Sequence, residues 1–370
     1  MALLTMAALS CGGGHSATQS GGVPSSLSNS WNFYAQTFIQ ADGRVIDHSA
    51  GGISTSEGQS YAMLRAVWMG DQSTFDKSYS WGRNNLNSQI RQDHLWAWKW
   101  GKAGDGRWRV LDKAFATDAD QDVALALIMA SKTWKNGQYL EQARAILADI
   151  WTEATLEIAG HRFLLAGDSL CTGTSCRVNP SYYTPYAYRV FAKFDKAHDW
   201  GQLVDTTYFV LTSASALTQT ALPPDWLMLD TRTGELSLPS DKGKNFSYDA
   251  LRVYWRIAMD HALAQDSRAN EYLRRTLPWL IATRRKQGEL PAVISPSGAG
   301  LASYESLEMI AAVLPAIDVV DSGVAQEMAH QLEGAYRAGA WGDKNSYYLQ
   351  NWAWFGTALY THYLTNFRTL

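Results

Sequence analysis

The sequence predicts an all-α protein: an (α/α)6 barrel of six inner and six outer helices, with short strands in the loops at its cleft end. Three observations carry that expectation. The composition is globular, with 46% hydrophobic and 18% charged residues in 370, too apolar to stay disordered and long enough for one large barrel or two ordinary domains. Helical periodicity recurs about twelve times along the chain. These helices alternate in kind, one apolar almost all round and the next amphipathic, a pattern that suggests two concentric layers and that an irregular α-rich protein would share.

Residues 1–28 read as an export-signal-like segment followed by a flexible linker, and 29–370 as a single (α/α)6 domain. The opening MALLTMAALSCGGGHSATQSGG is small and apolar, then Gly/Ser-rich, with no Lys or Arg before the apolar run. Cys11 ends that run as the lipid-bearing cysteine of a lipoprotein signal does, while Ala8 stands where Leu is usual. Lipid attachment at Cys11 and simple export both stay open, and the expected address is secreted or periplasmic.

Candidate helices lie near 31–39, 57–69, 73–88, 119–134, 138–156, 181–194, 198–217, 248–263, 269–286, 303–316, 322–337 and 349–365. The run VALALIMA from Val123 to Ala130 is apolar on every side, the pattern of an inner helix. The next segment puts Leu140, Ala143, Ile146, Leu147, Ile150 and Trp151 on one stripe and Glu141, Gln142, Asp149 and Glu153 elsewhere, the pattern of an outer one. The stretch GHRFLLAGDSL has a strand-like run between turn residues, and LMLDTRTGELSL reads as a hairpin around Thr233-Gly234. In an exported protein the pair in CTGTSC, Cys171 and Cys176, fits a small loop-closing disulfide. Two thiols without a nearby His give too few ligands for a metal.

A net charge of −3 leaves no nucleic-acid footprint. The 16 Trp and 18 Tyr supply flat rings of the kind that sugar C–H faces lie against, although a Trp-filled core would use them equally well. The eight His are scattered without metal spacing, and no nucleophile elbow, phosphate loop or dinucleotide fingerprint is present. No cofactor or metal is expected, and the chain is expected to act as a monomer.

Three acidic residues stand at the starts of expected inner helices: Glu57 in STSEGQSYAM, Asp118 in ATDADQDVALALIMASKTW and Asp249 in FSYDALRVYWRIA. Each has an ordinary explanation as a cap for free N–H groups, and Asp118 with Gln121 fits a capping box. In a barrel, however, inner-helix starts at one end converge on one cleft. Two carboxyl groups flanking a scissile bond are what glycoside hydrolysis needs, one protonated and one ionised. A third acidic residue helps to keep the acid protonated.

The segment ATDADQDVALALIMASKTW closely resembles the signature of glycoside hydrolase family 8, once called cellulase family D, with Val123 where Ile or Met is usual. SEGQSYAM, NPSYYTPYAYRVF and SYDALRVYWRIA agree with the family in order, so the resemblance covers about residues 54 to 260. It implies an (α/α)6 barrel and an inverting mechanism, with Glu57 as general acid, Asp249 as general base and Asp118 binding and distorting the sugar at the cleavage point. Tyr182, or its neighbour Tyr183, would lie near the attacking water. Arg252, one helical turn beyond Asp249, would hold the acidic cluster. In the chitosanase and lichenase branch the Asp249 position is typically replaced, so the branch implied is that of cellulases and xylanases, and the substrate a β-1,4-glucan such as cellulose. DHLWAWKWGK resembles a segment of cellulases linked to bacterial cellulose synthesis. Its Trp96, Trp98 and Trp100 alternate, as if sharing one face of an extended stretch, and Trp98 and Trp96 are candidates for stacking on glucose. Xylan cleavage on the same fold, a degenerate glycan-binding barrel and a polysaccharide lyase are the competing readings. Retention of all three acids speaks against the second, and mild acidity against the third.

Overall fold

Thirteen α-helices occur among residues 23–367, the part of the chain that the computed structural model describes. The export-like run with Cys11 lies outside those residues. The helices alternate between two layers. Outer α1 (Ser25–Phe38) leads to inner α2 (Ser56–Met69), outer α3 (Gln72–Gly82) to inner α4 (Thr117–Trp134), and outer α5 (Gly137–Glu153) to inner α6 (Pro185–Phe194). Outer α7 (Gly201–Ala216) leads to inner α8 (Leu251–Ala264), outer α9 (Ser267–Thr276) and α10 (Pro278–Gln287) to inner α11 (Leu307–Val320), and outer α12 (Ser322–Ala335) to inner α13 (Tyr347–Tyr360). Contacts run from α2 to α4, α6, α8, α11, α13 and back to α2, closing the inner ring. This is an (α/α)6 barrel. Burial follows the layers: every residue of α4 from Thr117 to Ala130 is buried, whereas α5 buries only Tyr139, Ala143, Ile146, Leu147 and Ile150.

Four elements differ from the sequence expectation for identifiable reasons. Helix α1 opens at Ser25, inside the expected linker, because Leu27 continues the stripe of Trp31, Tyr34 and Phe38 and is fully buried. The outer helix expected over 269–286 is broken into α9 and α10 at Pro278, whose ring carries no N–H and crowds the preceding turn. The helix expected over 138–156 stops at Glu153, and β4 (Thr155–Ile158) pairs antiparallel with β5 (His161–Leu164). Helix α3 ends at Gly82 and runs on as a π turn, Arg83–Asn87.

The remaining strands lie in loops. Strand β1 (Ser54–Thr55) pairs with β2 (Ala97–Lys102), and β2 with β3 (Trp108–Phe115), in one three-stranded sheet. A four-stranded sheet orders β6 (Cys171–Thr172), β7 (Ser175–Val178), β8 (Leu227–Asp230) and β9 (Leu236–Ser237). Its β8–β9 hairpin turns at Thr233-Gly234, where Gly234 takes φ +76. Cys171 and Cys176 face each other across β6 and β7 and form a disulfide. A last pair, β10 (Tyr336–Arg337) and β11 (Ala340–Trp341), precedes α13.

The inner ring is tight enough to require glycine at one crossing. A Cβ on Gly356 of α13 would lie 2.0 Å from the Ala311 carbonyl oxygen of α11. Gly356→Ala is expected to lower stability by about 1–3 kcal/mol or more through overpacking, visible as a lower midpoint in urea unfolding.

Candidate active site

Each expected acid sits where an inner helix begins at the same end of the barrel. Strand β1 runs directly into α2, and Thr55 caps that helix by accepting the Gly58 N–H at 3.0 Å. Glu57 is therefore not the cap. Its carboxylate is spent on Arg252 Nη1, 2.9 Å from Oε2, and on Tyr347, whose hydroxyl donates to Oε1 at 2.7 Å. Helix α4 has no side-chain cap of the expected kind, and Gln121 donates to the Thr117 and Tyr182 carbonyls instead of closing a capping box. Asp118 accepts its neighbour's Ala119 N–H at 2.9 Å and turns its other oxygen to Arg252 Nη1, also at 2.9 Å. Asp249 precedes α8 in a turn, bonded to Arg252 Nη2 through Oδ1 and to the Trp226 indole N–H at 3.0 Å through Oδ2.

One guanidinium thus joins all three carboxylates. Arg252 is 2% exposed at its side chain and Asp118 4%, while Glu57 and Asp249 keep 22% and 34% open to the cleft. The electrostatics follow from this crowding. Burial pushes the Glu57 carboxyl up to about 7, with Asp118 and Asp249 pushing the same way and Arg252 and Tyr347 opposing them. Burial also raises Asp249, helped by Asp118 and opposed by Arg252 and Trp226. Glu57 consequently binds a proton more tightly folded than unfolded. The stability that it contributes is whole below about 4.5 and is lost as pH rises through about 7.

The acidic motif divides its labour by helical spacing. Asp122, four residues after Asp118, repeats the contact one turn deeper, where Arg256 Nη1 lies 3.3 Å from its Oδ1 and 3.1 Å from the Tyr186 hydroxyl. Asp120 points the other way and accepts the Trp96 backbone N–H at 2.8 Å, tying the start of β2 to α4.

The aromatic candidates separate. Tyr182 ends a 3-10 turn, Pro180–Tyr182, with its ring 5.3 Å from the Arg252 guanidinium and 6.0 Å from Trp226. Tyr183 is not at the site: it is 1% exposed, and its hydroxyl accepts the Leu164 N–H at 3.0 Å in the core. Trp96 is not a stacking residue either. It is 2% exposed, lies parallel to Tyr79 and fills the space over Gly82, where a Cβ would come within 2.3 Å of its ring. The expected alternation of Trp96, Trp98 and Trp100 fails because Trp96 precedes β2 and the strand has register shifts between Ala97 and Lys99 and between Lys99 and Trp100. Trp98 remains half-buried on β2, with the Lys99 ammonium 5.3 Å from its ring.

Sequence reasoning missed three contributors. Tyr347 opens inner helix α13 two residues before its expected start, and as a neutral side chain it carries no acidic signal. Trp226 and Asp225 come from the loop before β8 and carry no local signal. Asp225, 7% exposed, accepts the backbone N–H groups of Ser247, Asp249 and Ala250 at 3.0, 3.1 and 2.8 Å, so it holds the turn that presents Asp249.

The fold defines a class by its architecture, the (α/α)6 barrels. The structure is similar to an endo-1,4-D-glucanase from Vibrio fischeri ES114, with a TM-score of 0.77 at 25% identity over 90% of this chain and 94% of that one. It is also similar to an endo-beta-1,4-glucanase from Acetobacter xylinum, with a TM-score of 0.73 at 27% identity over 91% and 99%. The family profile described as glycosyl hydrolases family 8 matches residues 2–337, and the chain belongs to that family. An endoglucanase of Salmonella typhi is 35% identical over 234 residues, and the match spans 62% of this chain and 62% of that enzyme's length.

Arg252→Met is expected to cost about 3–5 kcal/mol in chemical unfolding, because it leaves the Asp118 carboxylate buried without its cation. Arg252→Lys should recover only part, since a point charge cannot serve carboxylates on both arms of a fork. Asp225→Ala, which removes the acceptor oxygen, should lower kcat by about 10- to 100-fold by displacing Asp249, with a much smaller change in KM in steady-state kinetics.

Proposed function

We propose that the chain is an endo-acting, inverting glycoside hydrolase that cleaves β-1,4-glucan. The observation that carries the reading is the shared Arg252, which brings Glu57, Asp118 and Asp249 together at converging inner-helix starts. One buried cation facing three carboxylates leaves an excess of negative charge, so one carboxyl keeps its proton near neutrality. Glu57, raised to about 7, is the group suited to donate that proton to the leaving oxygen. Asp249, held by Arg252 and Trp226, is the ionised partner that takes a proton from water as the water attacks the anomeric carbon. The glycosidic bond breaks, its oxygen leaves as a hydroxyl with the Glu57 proton, and the configuration at carbon inverts. Glu57 and Asp249 face one another across a guanidinium instead of touching, an arrangement that leaves room for the water of an inverting pair. In this reading Asp118, buried beside both, binds the distorted sugar, Tyr182 lies over Arg252 near the water, and half-buried Trp98 stacks on a neighbouring glucose. The endoglucanase names of the relatives and structural neighbours support glucan as substrate. Export from the cell belongs to the same reading and rests on the sequence of residues 1–22 alone.

Reducing-sugar release from carboxymethyl cellulose, xylan and chitosan tests the assignment. Glu57→Gln and Asp249→Asn should each lose about 10²- to 10⁴-fold in kcat; near wild-type turnover by either would remove that residue from its role, and cleavage of xylan alone would overturn the glucan assignment. An NMR time course should show the product anomer inverted. The pH profile provides a second check: because the raised Glu57 must be protonated, kcat/KM should fall as pH climbs through about 7.

A further inference from the structure

We propose that the tip of the β2–β3 hairpin is a second glucan-binding surface, where the indole of Trp108 holds the polymer outside the cleft. This rests on the glucan reading above and adds a site to it. Trp108 is 48% exposed. A lone exposed aromatic ring is unremarkable on a protein surface, but this one is built in from the core outward. Trp81, which is buried, meets Trp100 edge-on at 5.4 Å, and Trp100 stacks on Trp108 at 5.1 Å with an interplanar angle of 20°. The Arg44 guanidinium lies 4.4 Å from the Trp100 ring and 4.6 Å from Trp108. Arg44 is itself fixed, donating to Ser54 Oγ at 2.8 Å and to the Gly52 carbonyl. The outer indole is therefore immobilised before any ligand arrives, and a flat ring that has already lost its freedom binds at low entropic cost.

Its position is continuous with the cleft. Trp108 pairs with Lys102 across the hairpin, and Trp100 pairs with Ser54 of β1, the strand that leads into Glu57. Lys102 lies four residues along β2 from Trp98, about 13 Å at ~3.3 Å per residue, so a polymer reaching beyond Trp98 has a second ring within its length. The surroundings favour a sugar over a protein partner. Exposed Lys102 pairs with Trp108 across the hairpin, and exposed Asp105, Arg107 and Arg109 make the adjoining turn and strand start polar, with Arg109 paired to Asp105 at 2.7 Å. That patch falls far short of the ~800 Å² per side of a stable interface, whereas a neutral sugar needs one flat ring and a polar margin.

Trp108→Ala and Trp108→Phe test this in the full chain, each first checked for an unchanged unfolding midpoint. In a Glu57→Gln background, Trp108→Ala should weaken retention in carboxymethyl cellulose affinity gels and co-sedimentation with insoluble cellulose by about 5-fold or more, the size of a lost stacking contact. Trp108→Phe should keep most of the binding. In the active enzyme, kcat/KM on a soluble short β-1,4-gluco-oligosaccharide should stay unchanged while that on the polymer falls. Unaltered polymer retention, equal losses on polymer and oligosaccharide, or a dimer in sedimentation that Trp108→Ala dissolves would each overturn the surface. Failure of the wild type to cleave any β-1,4-glucan would instead overturn the reading of the cleft.

Discussion

The Arg252 guanidinium is the contact around which the site is organised. It is buried, so its charge is held in a medium that penalises any uncompensated ion. It is compensated three times over, by residues that lie 195 and 134 positions away and by one three residues back, in the turn before its own helix. The two inner helices α2 and α4 and the turn before α8 must all arrive at one point for this to happen. Closing the inner ring is what delivers them there. The same crowding that demands the arginine also leaves one negative charge too many, and the barrel answers with a carboxyl that holds its proton.

Around that centre the supporting contacts are layered. Tyr347 opens α13 and reaches Glu57, while Trp226 and Asp225 fix the side chain and the backbone of Asp249. One turn deeper, Asp122 and Arg256 repeat the link between α4 and α8 with both groups buried. Spacing of four residues on each helix makes the two ion pairs stack, so the helices are pinned against rotation as well as separation. Asp120, on the other side of α4, ties the same helix to the start of β2. The acidic motif is thus a joint between the barrel interior and the aromatic hairpin at its rim.

The aromatic residues divide between packing and display. Trp96, Trp200, Trp341, Trp352 and Trp354 are among the largest fully buried side chains, so much of the aromatic content serves the core. Around the cleft and its rim, half-buried Trp98 and Tyr182 and exposed Trp108 are among the rings that keep surface open to solvent. Composition counted both groups alike, because a count carries no information about depth.

The sequence by itself determined the barrel, the alternation of its layers and the acids at its inner-helix starts. Those are local properties: a helix apolar on every side has to be surrounded, and the acids mark where such helices begin. It also placed Arg252 one turn beyond Asp249. Only the tertiary structure decided which acids share that arginine, since the partners are far apart along the chain. It decided too that Tyr183 and Trp96 belong to the core while Tyr182 and Trp98 do not. Adjacent or alternating residues are separated there by a turn and by strand irregularities that depend on what the loop packs against. Asp225 and Trp226 show the limit most clearly: a loop residue gains its role from the backbone it meets, and nothing in its own neighbourhood along the chain records that meeting.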